Sequence, residues 1–151
     1  MDSFEKSLNK LLVETFNNIL KFEEQSLKAI SNLTITVNEA HLMEATAKSG
    51  NGASVSELAS ALDLALPSVT VAVKKLQGKG LIHKMQSKED GRSVKITLTP
   101  LGEKINRAHE IFHQKMVRRI SRDFHDNEKE LLLSVIKKLD EFFDKKVKAK
   151  I

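Results

Sequence analysis

The sequence predicts a mainly α chain with a small β-wing: a winged helix-turn-helix carried between long terminal helices. Three observations predict it. Apolar residues recur at helical spacing at both ends of the chain. Near the middle, Ser54–Leu62 and Pro67–Gln77 read as two short helices joined by a tight turn. Directly after them, two runs that suit strands flank a charged turn. The expected organisation is one domain over residues 1–151. Its central lobe spans 36–99, and a helical pairing region is made by 4–33 and 100–149.

The first helix is expected over residues 4–30, where Phe4, Leu8, Leu11, Leu12, Ile19, Phe22, Leu27 and Ile30 fall mostly three, four or seven apart with no Gly or Pro between them. So long an apolar stripe needs a cover, and a second copy of the chain is one solution. Thr36 and Glu39 form a capping box that opens a helix through Leu42, Met43 and Ala47. Ser49-Gly50-Asn51-Gly52 ends it, without the Gly-x-x-x-x-Gly-Lys-Ser/Thr spacing of a phosphate cradle.

A second capping box, Ser54 with Glu57, opens a short helix through Leu58, Ala59 and Leu62. After the turn Asp63-Leu64-Ala65, Pro67 suits a first helical position, since its fixed φ is pre-set and it forgoes no amide bond. That helix is expected to stop near Gln77 at Gly78 and Gly80. Val69, Ala72, Val73 and Leu76 make its inward stripe, which turns Ser68, Val71, Lys74 and Lys75 outward. Leu81–Met85 reads as a strand, Ser87–Ser93 as a polar turn and Val94–Leu98 as the returning strand. Thr99 caps the next helix, with Pro100 in its first turn and Leu101, Ile105, Ala108, Phe112, Met116 and Ile120 along it. Asn127 and Glu130 suggest a third capping box. The last helix carries Leu131, Leu132, Val135, Ile136, Leu139, Phe142, Phe143 and Val147, with a Lys-rich end that suits the helix dipole.

Composition narrows the function. The chain has 151 residues, 40% hydrophobic and 30% charged, with no apolar run long enough to cross a bilayer. Asp2 and Glu5 near the start do not suit a secretory signal, so the cytoplasm is the expected location. There is no cysteine, which removes disulfides, thiolate metal sites and thiol redox chemistry. With no phosphate loop and no Ser or Asp partner for a catalytic histidine, an enzyme is the least expected class. The formal net charge is +5. Residues 74–95 hold Lys74, Lys75, Lys79, Lys84, Lys88, Arg92 and Lys95 against Glu89 and Asp90, so this one stretch equals the whole excess. A charge run is usually a solvated face, but this one sits on a helix-turn-helix and its hairpin.

A major groove admits a helix whose first turn bears small residues, because these let the backbone approach base edges. Ser68 and Val71 are therefore expected at bases, the latter against a thymine methyl. Thr70 is expected at a base or phosphate, and Lys74 and Lys75 at phosphates. The amide end of the helix starting at Val55, with Ser54 or Ser56, suits another phosphate. Lys88 adds positive charge at the hairpin, and Arg92 at its tip suits a narrow minor groove, with Asp90 orienting it by an ion pair. An ordinary exposed turn pair is the plainer alternative for Asp90 and Arg92. A winged-helix protein-interaction module that binds no DNA is the alternative of another class.

The run Asp90-Gly91-Arg92-Ser93-Val94-Lys95-Ile96-Thr97-Leu98-Thr99 resembles the wing signature of the MarR family of transcriptional regulators, with its Asp-x-Arg and closing Leu-Thr. Val55-Ser56-Glu57-Leu58-Ala59, Val69-Thr70 and Lys79-Gly80-Leu81-Ile82 fit the same family, and Gly91 departs from it where many members carry a long basic side chain. The resemblance implies a homodimer whose terminal helices interlock, gripping a pseudo-palindromic duplex with half-sites about 10 bp apart.

His109 and His113 lie four apart on one helix, and with His41 they suggest a zinc site. Polar residues at the edge of a helix interface are the plainer alternative. Ala40 and Ala108 stand where zinc-sensing MarR members carry glutamates. Phe16-Asn17-Asn18-Ile19-Leu20 with Glu23-Glu24, Phe112-His113-Gln114-Lys115-Met116-Val117 and His41 resemble the MarR-family repressors of fatty-acid synthesis genes in Gram-positive bacteria. That implies no resident cofactor. It implies instead an acyl chain, delivered by acyl carrier protein as corepressor, in an apolar tunnel near Ile19, His41, Ile105, His109 and His113.

Overall fold

Eight elements follow one another: α1 (Ser3–Ile30), α2 (Val37–Lys48), α3 (Val55–Leu62), α4 (Leu66–Gly78), β1 (Ile82–Gln86), β2 (Val94–Leu98), α5 (Pro100–Arg122) and α6 (Asp126–Lys148). The computed structural model describes residues 1–86 and 88–149. Ser87 of the expected turn, and Lys150 and Ile151 of the expected domain, lie outside the described residues. Packing divides the chain inside α5, into units Met1–Phe112 and His113–Ile151.

In the first unit the helix starts follow the capping chemistry. The Thr36 hydroxyl accepts the Glu39 amide at 3.1 Å while the Glu39 carboxylate accepts the Thr36 amide at 3.1 Å. Ser54 and Glu57 exchange the same pair of bonds at 3.1 and 2.8 Å. Asp2 and Glu5 add a capping box that patterning missed. Asp63 ends α3 in the left-handed region, at φ 53°. Pro67 is the second residue of α4, one place later than expected, because Leu66 already has helical geometry. Gly80, at φ +73°, lets the chain leave α4 with the Leu81 amide donating to the Leu76 carbonyl.

The core lies beneath α4 and the hairpin. Leu27, Met43, Leu58, Val69, Val73, Leu76, Leu81, Ile96 and Ile105 are buried together there. Each large aliphatic residue among them contributes about 1.5–3 kcal/mol by leaving water. β1 and β2 pair antiparallel in the register Ile82↔Leu98, Lys84↔Ile96 and Gln86↔Val94, with β1 one residue later than the sequence suggested. Two bonds between Ala53 and Ile96 tie the hairpin to the segment before α3. At its other root the Thr99 hydroxyl donates to the Gly80 carbonyl at 2.7 Å and accepts the Gly102 amide at 3.0 Å. Gly102 is required there, since a Cβ would collide with the Leu81 carbonyl oxygen.

The second unit holds the last turns of α5, then α6. Here the expected Asn127–Glu130 box is corrected. The helix begins two residues earlier, because the Glu128 carboxylate reaches back to accept the His125 amide at 2.7 Å. No described residue of α6 is buried, and Leu131, Leu133, Ile136, Phe142 and Phe143 are all exposed. On α1, Phe4, Leu11, Phe16, Ile19 and Phe22 are also exposed.

Candidate nucleic-acid interface

α4 presents the face that its patterning dictates. Val69, Val73 and Leu76 are 1%, 1% and 0% exposed, which fixes the helix's rotation about its axis. Ser68, Thr70, Val71, Lys74 and Lys75 are consequently exposed. Ser68, Val71 and Lys75 border a depression of about 420 Å³ that α4 shares with the start of α2. The Thr70 hydroxyl donates to the Leu66 carbonyl at 2.9 Å, so that proton must leave the helix before it can serve a phosphate. Among the described residues none forms an ion pair with Lys74 or Lys75.

The start of α3 sits beside the hairpin root through the Ala53–Ile96 bridge. Ser54 is half-buried as the N-cap and Ser56 is exposed. The capping box uses the Ser54 hydroxyl as an acceptor, which leaves its proton free to donate.

At the wing tip the structure corrects one expectation. Asp90 makes no ion pair with the Arg92 guanidinium among the described residues; it builds the turn. Its Oδ1 accepts the Arg92 and Ser93 amides, both at 3.0 Å, and the Ser93 hydroxyl at 2.9 Å. The Ser93 amide first, then the Arg92 amide, holds the Asp90 carboxyl below its ordinary value. Gly91 stands at φ +66°, a conformation that costs a basic side chain more than glycine. Arg92 is left exposed at the tip with Lys88, its side chain bonded to no other described residue.

The histidines resolve differently from one another. His109 is 2% exposed, so a place at an interface edge is wrong for it. It is buried because α1 supplies an acceptor. The Glu23 carboxylate oxygen Oε1 accepts His109 Nε2–H at 2.8 Å and His41 Nε2–H at 3.1 Å. The His109 ring also stacks on Phe112, with centroids 6.2 Å apart. His41 is half-buried, and Lys48 holds the nearby Glu44 carboxyl below its ordinary value chiefly through a 2.6 Å hydrogen bond. Of the other expected effector residues, Ile105 is 3% exposed and Ile19 is 49% exposed. His113 lies one helical turn beyond His109 on α5 and opens the second unit. Glu23 is the residue that sequence reasoning missed as a partner of the histidines. It occupies a stripe position between Leu20 and Leu27 on α1, where an apolar side chain is the norm.

The family model described as MarR family matches residues 35–94. A curated relative, an uncharacterized HTH-type transcriptional regulator YhjH of Bacillus subtilis, is 27% identical over 89 residues, which are 59% of this chain and 50% of that protein. The chain thus spans about half the length of that curated relative. Among solved structures, Streptococcus pneumoniae FabT in complex with DNA superposes with a TM-score of 0.86 at 28% identity, covering 93% of this chain and 98% of that one. A Staphylococcus aureus MepR–DNA complex shares the fold at a TM-score of 0.72 and 22% identity, covering 88% and 94%. Residues 35–94 are a MarR-family domain, and with it the chain takes the winged-helix fold of the MarR-family regulators.

Proposed function

We propose that this chain is a sequence-specific DNA-binding transcriptional repressor. It acts as a homodimer on a pseudo-palindromic duplex, controls fatty-acid synthesis genes, and takes an acyl chain on acyl carrier protein as corepressor. One observation carries the reading: a single lobe exposes both the polar first turn of α4 and a cationic wing with Arg92 at its tip. The DNA complex of FabT, at 28% identity over nearly the full length, supports it. The exposed apolar side chains of α1 and of α6 support a second copy as their cover. The acyl chain is assigned to the region of Ile105 and His109, on the resemblance of the α1 and α5 segments to the fatty-acid repressors. No described helix is long and apolar enough to cross a membrane.

The test is selection of genomic fragments by the purified protein at physiological ionic strength, with its mass measured alongside. A dimer that enriches fragments upstream of fatty-acid synthesis genes over random duplex is expected. A monomer, or a dimer that enriches nothing, sinks the reading.

A zinc-responsive regulator is the second reading. Glu23 favours it, since it brings a carboxylate to His41 and His109, and zinc takes that donor set. This reading expects tight Zn(II) binding by calorimetry that His109→Ala abolishes; equal affinity in the variant removes it.

A further inference from the structure

The turn between α2 and α3 holds a chemistry that the interface does not use. Asn51 is exposed there and is followed by Gly52. Among the described residues the Asn51 side chain makes no hydrogen bond and the Gly52 amide donates none. With no Cβ on the glycine, its amide nitrogen is sterically open to the asparagine side-chain carbonyl. The rest of the chain offers nothing comparable. Of its eight asparagines, six lie inside helices, where the backbone is fixed. Asn32 is followed by Leu33, whose amide donates to the Ser31 hydroxyl at 3.0 Å.

The reaction open to this pair needs only water. The Gly52 nitrogen attacks the Asn51 side-chain carbonyl carbon, Cγ. The new C–N bond closes a succinimide ring, the Cγ–Nδ2 bond breaks, and the Gly52 amide proton departs with Nδ2 as ammonia. Water then adds to one of the two ring carbonyls. If the bond from the ring nitrogen to Cγ opens, the product is aspartate. If its bond to the main-chain carbonyl carbon opens, the product is isoaspartate, in which the chain runs through Cβ and Cγ. Either product carries a new carboxylate and lowers the formal charge of +5 by one.

What lies next in the chain gives the reaction a consequence. Gly52 lies against β2 so closely that a Cβ on it would stand 3.0 Å from Thr97 Cγ2 and 3.2 Å from the Ile96 carbonyl oxygen. One residue on, the Ala53 amide donates to the Ile96 carbonyl at 3.1 Å and the Ala53 carbonyl accepts the Ile96 amide at 2.7 Å. These two bonds seat the wing on the lobe. An isoaspartate at 51 inserts a methylene into the main chain just before that seat, where no slack exists to absorb it. Gly52 lies beside Thr97, toward the root of the hairpin and away from its tip, so the longer chain outweighs the added charge. We propose that Asn51 is a modification site at which spontaneous deamidation to isoaspartate unseats the wing and weakens duplex binding. The effect on binding rests on the DNA-binding reading above; the reaction and the loosened wing do not.

The experiment ages the full-length protein in warm, mildly alkaline buffer, with Asn51→Gln aged beside it. Peptide mapping with isoaspartyl methyltransferase labelling follows the reaction, hydrogen exchange follows residues 94–98, and titration with a short A·T-rich duplex follows binding. Isoaspartate is expected to accumulate at position 51 ahead of every other asparagine, and the Ile96 amide to exchange faster. Duplex affinity is expected to fall about tenfold, the scale of one lost base contact. Asn51→Gln is expected to age without either change. Prolonged treatment of the aged wild type with the methyltransferase, which returns isoaspartate to aspartate, is expected to restore binding. Absence of isoaspartate at 51 overturns the site. Isoaspartate with unchanged exchange or unchanged affinity overturns its effect on the wing. A fresh Asn51→Asp variant as weak as the aged protein assigns the loss to charge and overturns the unseating. A fresh wild type that binds no duplex overturns the DNA-binding reading instead, and exchange at Ile96 then decides the wing alone.

Discussion

Replacing Lys74, Lys75 and Lys88 together with alanine is expected to cut the salt dependence of operator binding sharply. Each phosphate neutralised contributes about 0.9 to the slope of log K against log[salt], so three contacts remove about 2.7 from it. All three lysines are exposed, and none is drawn away by an acid among the described residues. The loss should be nearly equal for operator and random duplex, because phosphates carry no sequence. Arg92→Ala provides the contrast. If the guanidinium reads base edges, operator affinity falls by about 1–3 kcal/mol while random duplex is less affected. Titrations across a salt series with both duplexes separate the two. An unchanged slope in the triple variant would mean that α4 and the wing do not face the backbone, and the interface would have to be sought elsewhere.

The lobe was readable because its signals are local. A capping box needs only four residues, and the rotation of α4 follows from Val69, Val73 and Leu76 alone. The two wing strands followed from short apolar runs on each side of a turn, with β1 placed one residue too early. What escaped was long-range. Glu23 meets His109 across 86 positions and His41 across 18, and no window of sequence contains such a pair. A weak trace existed in the form of an acid on the apolar stripe of α1 and a histidine on the stripe of α5. Two polar residues at core positions of different helices ask for each other, since neither can be buried alone. Asp90 shows the opposite failure. Its nearness to Arg92 in sequence suggested an ion pair, but the backbone amides two and three residues away were nearer donors than a long side chain. The start of α6 slipped by two residues for a similar reason, as Glu128 offered an equally good reach-back to His125.

Lys79→Met is expected to destabilise the fold by about 3–5 kcal/mol, the range for removing one partner of a buried ion pair. Lys79 is the C-cap residue of α4. Its ammonium donates to Glu39 Oε2 at 2.6 Å and to the Thr34 carbonyl at 2.5 Å. The Glu39 side chain is 5% exposed, so loss of the ammonium leaves a carboxylate with little water to take its place. Lys79 itself is 26% exposed, which places the effect toward the lower end of that range. The double variant Glu39→Gln/Lys79→Met separates charge from packing. Glutamine can still accept the Thr36 amide and cap α2, yet it leaves no charge to strand. Urea unfolding should therefore show the double variant more stable than Lys79→Met alone. If the two are equally destabilised, the buried charge is not the cause. The pair also joins the end of α4, the helix proposed to face DNA, to the start of α2, whose Glu39 lines the same depression that Ser68, Val71 and Lys75 border. Weakening it should loosen the aim of α4 as well as the fold. Operator binding by Lys79→Met should then fall at temperatures where the variant is still folded, and the double variant should restore much of it.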